Sequence, residues 1–299
     1  MSVTADWIAV DWGTSNLRAW AMTSSGTVLD DRRSDRGMGQ LSPAEFEPVL
    51  TDLVEGWTRG PTDVVACGMV GSRQGWAEAA YATVPCPAAA GRMVEAPSNG
   101  DLRVRILPGV KQDNPADVMR GEETQIAGFL ALNPGWDGVL CLPGTHTKWV
   151  EVSAGEIVSF QTYMTGELYA ALAQHTVLRH SIAPGEGGAG FAEAVAEGMA
   201  KPQKLAARFF GLRAEDLLAG LSGTDAAARL SGLLIGAELA GAKPYRLGRQ
   251  IAVIGTGKVT QRYVEALATQ GVPSTHADGD RMTLAGLTAA WRQMKEPAT

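Results

Sequence analysis

The amino-acid sequence predicts an α/β protein of two domains, each built around a mixed, mainly parallel β-sheet. Three observations lead to this prediction. Predicted strands alternate with predicted helices in both halves of the chain, which is typical of sheets that are covered by helices. One strand–turn–strand pattern occurs twice. The chain has 299 residues, which is enough for two domains of about 100 to 200 residues each.

The repeated pattern begins each time with an apolar strand that runs into a Gly-Thr turn. The first strand, residues 8–10, leads into Asp11-Trp12-Gly13-Thr14-Ser15-Asn16 and an alternating strand at 17–22. The second, residues 138–142, leads into Pro143-Gly144-Thr145-His146-Thr147 and a strand at 148–152. Alternation with period two between small turn residues predicts a β-hairpin in each copy. Since glycine lets the backbone approach an anion and threonine adds a hydroxyl donor, the turns predict polyphosphate binding.

Hydrophobic periodicity and turn residues predict the other elements. In the first half we expect a helix at 41–57, a buried strand at 64–67, a glycine-rich loop at 68–76, a strand at 102–107 and a connecting loop at 108–115. Further helices are expected at 122–132, 168–178, 191–200, 204–210, 214–218, 226–240, 259–270 and 283–295, with a strand at 250–254 before Gly255-Thr256-Gly257. The predicted domains are residues 1–119 and 120–299, and the terminal helix, 283–299, could pack back on the first domain.

Composition excludes several classes of protein. The formal net charge is −6, and the chain has no run of Lys or Arg, which argues against a nucleic-acid partner. Cys67, Cys86 and Cys141 are odd in number and lack C-x-x-C spacing, so they predict neither a disulfide framework nor a zinc site. Without a leader-like start or an apolar run long enough to span a membrane, the sequence predicts a soluble cytoplasmic protein with no membrane partner.

The two Gly-Thr turns and the later Gly255-Thr256-Gly257, taken in order, resemble the actin, Hsp70 and sugar-kinase superfamily. The resemblance spans nearly the whole chain and implies two actin-like, ribonuclease H-like domains that flank a cleft for ATP and substrate. It implies that the turns at Asp11–Asn16 and Pro143–Lys148 hold the phosphates of ATP. It also implies that the segment from Ile251 to Lys258 lies near the adenosine.

Within the superfamily, Gly121-Glu122-Glu123-Thr124-Gln125 before the second turn resembles the glycerol and gluconate kinase group. Those kinases have a Gly-Asp pair whose carboxylate takes the proton of the substrate hydroxyl, and a helix start suits its charge. This chain has Glu122 at the position of that aspartate. Glu122 is the favoured base, and Glu123 and Asp117 remain alternatives. In a further alternative, Glu122 and Glu123 have no catalytic role and only place negative charge at the first turn of the helix.

Four motifs together resemble the 2-dehydro-3-deoxygalactonokinase family, a family of single-chain bacterial sugar-acid kinases. They are the segments at 11–20, 68–76, 120–125 and 142–149. The family's reaction is phosphorylation of the 6-hydroxyl of 2-dehydro-3-deoxygalactonate by ATP in galactonate breakdown. The resemblance implies that Asp11 holds Mg²⁺ through water, a common arrangement for this ion. It also implies that Ser72, Arg73, Gln74 and Trp76 bind the sugar acid, with Arg73 suited to grip a carboxylate.

Two other activities remain alternatives at this stage. The first is a kinase for another sugar acid, such as 2-dehydro-3-deoxygluconate, because the sequence does not fix the stereochemistry at C4. The second is an actin-like ATPase with no sugar substrate. Those ATPases resemble each other in having an aspartate at the start of the second phosphate turn, where this chain has Leu142. The oligomeric state is open, since the helix at 226–240 could belong to the core or to a homodimer interface.

Overall fold

The protein is described by a computed structural model at residues 3–183, 185 and 188–295. Its contacts divide the chain into two compact units. The first unit comprises the residues up to 136, residues 152–159 and the residues from 279 onward. The second unit comprises residues 137–151 and 160–278. Within the described residues, no helix is long and apolar enough to cross a membrane.

The strands and helices are numbered in chain order. The strands are β1 (Trp7–Trp12), β2 (Leu17–Met22), β3 (Val28–Ser34), β4 (Thr62–Cys67), β5 (Tyr81–Thr83), β6 (Cys86–Pro87), β7 (Val94–Glu95), β8 (Leu102–Ile106), β9 (Gly109–Asp113), β10 (Ala116–Met119), β11 (Gly138–Leu142), β12 (Thr147–Ser153), β13 (Glu156–Tyr163), β14 (Ile251–Gly255) and β15 (Ser274–Asp278). The α-helices are α1 (Phe46–Leu53), α2 (Glu122–Leu132), α3 (Thr165–His175), α4 (Phe191–Ala200), α5 (Leu205–Ala219), α6 (Gly223–Gly241), α7 (Lys243–Arg246), α8 (Gly257–Thr269) and α9 (Gly279–Lys295).

The main sheets of the two units have the same strand order. The first sheet runs β3-β2-β1-β4-β8-β7, and the other runs β15-β14-β11-β12-β13 before β6. The antiparallel hairpin strands β2 and β3 lie on one side of β1, and β4 and β8 continue parallel to it. In the second unit, β14 and β15 continue parallel to β11 in the same way. The duplicated hairpin predicted from the sequence is therefore present in both sheets.

Both sheets are mixed, as predicted. In the first sheet, however, antiparallel pairings are more numerous than parallel ones, because the hairpin supplies two antiparallel pairings and β7 adds another at the edge. A separate sheet of order β10-β9-β5 lies in the first unit. At the tip of the β12–β13 hairpin, which belongs to the first unit, Glu156 and Ile157 pair with β6.

The first sheet is buried on both faces, which explains the continuous apolar run in β1. Ile8, Val10 and Trp12 point into one core, and Trp7 points into another that includes α9. The rings of Trp7 and Trp291 stack with their centroids 5.0 Å apart. The contact fixes α9 against the first sheet.

Several predicted elements differ from the structure. Residues 108–115, expected to be a loop, contain β9, and the two helices expected at 204–210 and 214–218 form the single helix α5. Strand β15 was not predicted. The boundary between residues 119 and 120 stays a prediction; by contacts, α2 lies with the first unit. Residues 296–299 of the predicted terminal helix lie outside the described residues.

Candidate active site

The first Gly-Thr turn follows Asp11, which lies near the end of β1. The turn is closed by the Gly13 N–H, which donates to the Asn16 carbonyl at 2.9 Å. A neighbouring segment braces it, since the Gly39 N–H donates to the Thr14 carbonyl at 2.9 Å. The Thr14, Ser15 and Asn16 residues are exposed. The turn therefore has a fixed backbone and presents polar groups to solvent.

Asp11 lines an open concavity of about 190 Å³ in the first unit. The concavity lies where the parallel strands β1 and β4 end, which is the usual place for a site in an α/β sheet. It brings together the two carboxylates that the sequence predicted to be catalytic, those of Asp11 and Glu122. The lining residues are Asp11, Gly13, Gly68, Met69, Arg120, Gly121, Glu122, Gln125 and Thr283.

The Asp11 carboxyl is buried and has charged groups of both signs around it. Burial raises the pKa of Asp11 above its usual value; the Arg18 guanidinium opposes this, and the carboxylates of Asp280 and Glu122 raise the pKa further. Arg18 is itself ion-paired with Asp280, so its charge is shared. A cation at this position would compensate the remaining negative charge.

Two glycines allow close approach of the backbone around Asp11. Gly68 has φ +94°, and a Cβ there would lie 2.7 Å from the Trp12 carbonyl oxygen and 3.3 Å from Asp11 Oδ1. Gly121 has φ +106°, and a Cβ there would lie 3.4 Å from the Gly68 Cα. Because L side chains rarely adopt these conformations, glycine is required at both positions. The segment before α2 can thus pack against the end of β4.

Two adjacent glutamates begin α2 and have different environments. Glu122 lines the concavity, and its Oε2 accepts a hydrogen bond from the Arg120 backbone N–H at 3.1 Å. Glu123 is only 3% exposed and accepts the Gly121 N–H at 2.7 and 2.9 Å. Burial, and then the charge of Glu122, raise the pKa of Glu123 to about 8. Asp117, the third candidate base, lies on β10 and is not among the lining residues.

The predicted sugar-binding residues of the 68–76 loop do not line this concavity. Arg73 has an 81% exposed side chain and pairs with Glu78 at 3.4 Å, and Gln74 is exposed as well. Trp76 is buried in the core, where its indole N–H donates to the Pro97 carbonyl at 3.1 Å. Ser72 is also buried, and its Oγ has no hydrogen-bond partner within the described part of the chain.

In the second unit, the second Gly-Thr turn connects β11 to β12. Thr145 and His146 are exposed, and His146 Nε2 lies 2.6 Å from a carboxylate oxygen of Glu167. Thr147 is fully buried, and its Oγ1 lies 2.9 Å from the Tyr263 hydroxyl. Gly144 has no atom within 4 Å of where a Cβ would stand. Gly144 is therefore the position at which the backbone of this turn is uncovered. The Thr147 hydroxyl, in contrast, is hydrogen-bonded within the protein, to Tyr263.

Gly144 lines a pocket of about 270 Å³ within the second unit. The walls are largely apolar and come from α3, α6 and α8, with Lys258 and Arg262 as cationic side chains. The segment Gly255-Thr256-Gly257 joins β14 to α8, and Gly257 has φ +73°. These three residues do not line the pocket themselves but precede the helical turn that does. Apolar walls with a few polar groups are typical of small-molecule sites.

A buried carboxylate lies beneath this pocket and was not predicted from the sequence. Glu238 is 3% exposed and accepts hydrogen bonds from Trp149 Nε1 at 2.7 Å and from the Tyr263 hydroxyl at 2.6 Å. Burial raises the pKa of Glu238 to about 7, although these hydrogen bonds lower it. The network connects the pocket residue Tyr263 to the strand that follows the second turn.

No group of three or more His, Cys, Asp or Glu side chains suited to a metal occurs in the residues that the structure describes. All three cysteines are free and buried. A magnesium ion held by one carboxylate, phosphate oxygens and water needs no such group. Asp11, with the carboxylates of Asp280 and Glu122 near enough to raise its pKa, fits this kind of partial coordination.

Comparison with known proteins identifies the family. The profile of 2-keto-3-deoxy-galactonokinases matches residues 11–290. The chain belongs to this family. A Rhizobium meliloti protein provisionally named as a 2-dehydro-3-deoxygalactonokinase is 39% identical over 302 residues, covering 98% of both chains. The 2-dehydro-3-deoxygalactonokinase of Escherichia coli K12 is 37% identical over 290 residues, covering 95% of this chain and 97% of that protein.

One solved structure has the same fold as this chain over nearly its whole length. The crystal structure of a Sinorhizobium meliloti protein, provisionally described as a 2-dehydro-3-deoxygalactonokinase, matches with a TM-score of 0.90. The two chains are 39% identical, and the match covers 98% of each. The predicted family and the predicted α/β fold with actin-like units are thereby confirmed.

Proposed function

We propose that this protein is an ATP-dependent kinase that phosphorylates the 6-hydroxyl of 2-dehydro-3-deoxy-D-galactonate. The product is 2-dehydro-3-deoxy-6-phospho-D-galactonate, and the reaction belongs to galactonate catabolism. Membership of the 2-keto-3-deoxy-galactonokinase family supports the reaction. The observation that carries the mechanism is the shared concavity of Asp11 and Glu122. Cytoplasmic location and a homodimeric state stay predictions.

Glu122 is the proposed general base. It lies at the first turn of α2 and lines the concavity, so its carboxylate could reach a substrate hydroxyl there. Glu123 is less suitable because it is sealed from solvent, and a pKa of about 8 keeps it protonated at neutral pH. A base must be ionised and within hydrogen-bond reach of the proton that it takes. Of the two glutamates, Glu122 meets the geometric requirement.

The proposed step is a transfer of the γ-phosphoryl group. The substrate hydroxyl oxygen attacks phosphorus as Glu122 accepts its proton, and the bond to the β-phosphate oxygen of ATP breaks, which leaves ADP. Such steps depend mainly on positioning and charge stabilisation. Backbone N–H groups of Thr14, Ser15 and Asn16 in the first turn are proposed to hold phosphate oxygens, and Gly13, whose N–H closes the turn, would let the backbone approach them closely. Asp11 would hold Mg²⁺ through water, and the ion would supply neutralisation of phosphate charge.

The second unit is proposed to bind the nucleotide. Its turn from Gly144 to Thr147 would hold phosphate, and the apolar pocket beside Gly144 would take the adenosine. Lys258 and Arg262 in this pocket suit a ligand that carries negative charge. Gly255, Thr256 and Gly257 would act indirectly, because they set the start of α8.

The test is ATP consumption by the purified protein with several acids and with no acid. The acids are 2-dehydro-3-deoxygalactonate, its gluconate epimer and galactonate. We expect turnover with the galactonate-derived keto acid, and a loss of about 10²- to 10⁴-fold in kcat for Glu122→Gln, the usual contribution of a general base. Asp117→Asn is the matched control and should retain activity.

Three outcomes would change the proposal. Faster turnover of the gluconate epimer would assign that acid as the substrate. Equal ATP consumption with and without any acid would replace the kinase with an actin-like ATPase. Full activity of Glu122→Gln, together with a loss of activity in Asp117→Asn, would identify Asp117 on β10 as the base.

A further inference from the structure

Arg120 lies between β10 and α2, two positions before the proposed base. It is one of the residues that line the concavity around Asp11. Its backbone N–H donates to Glu122 Oε2 at 3.1 Å, so the placement of the two residues is linked.

The Arg120 guanidinium is buried with part of its hydrogen-bonding capacity unused. The residue is 8% exposed, Nη2 donates to the Ala79 carbonyl at 2.7 Å, and the group lies over the Tyr81 ring at 4.3 Å. Nε and Nη1 are buried and have no hydrogen-bond partner within the described chain. An unpaired buried donor is costly, and arginine cannot lose its charge in a protein.

No carboxylate of the described residues forms an ion pair with Arg120. This distinguishes it from Arg73, which is exposed and paired with Glu78. A buried positive charge is unfavourable unless a negatively charged group is paired with it. The guanidinium is therefore a candidate for binding an anionic group of a ligand.

The loop Gly71-Ser72 lies beside the Arg120 guanidinium. A Cβ at Gly71 would lie 2.9 Å from Arg120 Nη1, so only glycine lets this loop pack directly against the guanidinium. The next residue, Ser72, has a buried Oγ with no hydrogen-bond partner within the described residues. The loop beside the guanidinium thus also has unused hydrogen-bonding capacity.

We infer that Arg120 binds the carboxylate of the sugar acid. Nε and Nη1 of Arg120 would donate to the carboxylate oxygens. The terminal hydroxyl at the other end of the small acid would then lie toward Glu122. This inference rests on the proposed function, and it makes Arg120 the residue that selects an acid over a neutral sugar.

The experiment compares the keto acid with its primary carboxamide, which has the same size and no charge. Both are assayed with the wild type, Arg120→Gln, Arg120→Lys, Arg73→Gln and Arg103→Gln. Arg103 has an exposed side chain on β8 and serves as the matched control. The acid-to-amide ratio of kcat/KM is the readout, because a purely structural role of Arg120 would lower both values together.

We expect Arg120→Gln to reduce the ratio by about tenfold to hundredfold, the usual effect of a lost charged hydrogen bond. Arg120→Lys should keep part of the preference, and the ratio should not change in Arg103→Gln or in Arg73→Gln. A wild-type ratio in folded Arg120→Gln or Arg120→Lys would overturn the inference. If the acid-to-amide ratio falls in Arg73→Gln alone, the residue that binds the carboxylate is Arg73 and not Arg120.

Binding constants for the acid and the amide, measured by calorimetry without ATP, separate this inference from the proposed reaction. If the wild type consumes no ATP with the acid, the proposed function fails. The acid-to-amide ratio of binding constants still tests Arg120 in that case. Selective binding of the acid that is lost in Arg120→Gln supports the inference, and no selectivity in the wild type overturns it.

Discussion

The free energy of unfolding of the wild type should decrease as pH rises, because Glu123 is protonated in the folded state. Replacing Glu123 by Gln should remove this decrease. Glu123 is buried at the start of α2, where it accepts the Gly121 N–H and the Thr124 hydroxyl. Glutamine has nearly the same shape and is neutral at every pH. It can accept the Gly121 N–H through its oxygen, and its amide group can donate to Thr124.

The magnitude follows from the pKa of Glu123. It is about 8 in the folded protein, and the usual value is 4.5. Between these values the folded state holds a proton that the unfolded state has lost, so the stability of the wild type decreases as pH rises. The decrease has a slope of about 1.4 kcal/mol per pH unit and ends near the folded pKa. From about pH 5.5 to about pH 7.5 it amounts to about 3 kcal/mol.

The assay is urea unfolding of the wild type and Glu123→Gln at several pH values. The quantity of interest is the difference between their free energies of unfolding. This difference cancels the contributions of groups that titrate in both proteins, such as Glu238, whose pKa is raised to about 7. We expect the variant to gain stability relative to the wild type by about 3 kcal/mol across that interval. Its kcat should stay within about tenfold of the wild-type value, since the proposed base is Glu122.

A difference that does not change with pH would refute the reasoning, because it would mean that Glu123 has the same pKa in both states. A difference that changes in the opposite direction would show that the folded protein holds an ionised Glu123. Loss of turnover in a stable Glu123→Gln, with retained turnover in Glu122→Gln, would exchange the roles of the two residues.

Two further predictions concern single contacts. Gly68→Ala should destabilise the protein by about 1–3 kcal/mol more than Gly56→Ala. Both glycines have positive φ, but only at Gly68 would the new Cβ meet a backbone atom, the Trp12 oxygen at 2.7 Å; equal losses in urea unfolding would contradict this. Tyr263→Phe removes a hydrogen bond to Glu238 that lowers the pKa of that carboxyl, so the stability lost should be larger at about pH 8 than at about pH 5.5. The same loss at both pH values would show that this hydrogen bond does not favour the ionised carboxylate.

The elements with clear sequence punctuation could be predicted closely. Helix α2 has the predicted bounds, 122–132, because Gly121 precedes it and Asn133-Pro134-Gly135 follows it. Strand β11 also has its predicted bounds, 138–142. In both cases the local sequence and the tertiary structure favour the same conformation.

Other elements depend on contacts that are distant in the sequence. Strand β9 lies between prolines and has little apolar pattern, and it forms because β5 and β10 supply hydrogen bonds on either side. The gap expected between two helices, residues 211–213, begins at Gly211, and the structure continues α5 through it. A glycine inside a helix is about 1 kcal/mol less favourable than alanine, which the packing of a longer helix can offset.

The same distinction applies to the candidate site. Asp11 and Glu122 could be selected from local motifs, and the structure places them in one concavity. The side chain of Arg120 could not be selected from a local motif, because arginine side chains are ordinarily exposed. Its burial arises from Ala79 and Tyr81, which are about forty residues earlier in the chain. Periodicity carries no information about such a contact.

The pair Glu122 and Glu123 shows how adjacent identical residues can divide two tasks. Successive residues on a helix point about 100° apart, so one side chain can line the concavity and the other can be buried. The buried Glu123 holds the Gly121 N–H, one of the backbone donors that a helix start leaves without a partner. It thereby fixes the backbone that carries Glu122. Burial and the charge of Glu122 raise the pKa of Glu123 to about 8, so the buried carboxyl is mostly protonated at neutral pH and adds little negative charge inside the protein. The proposed base is therefore the glutamate of the pair that lines the concavity.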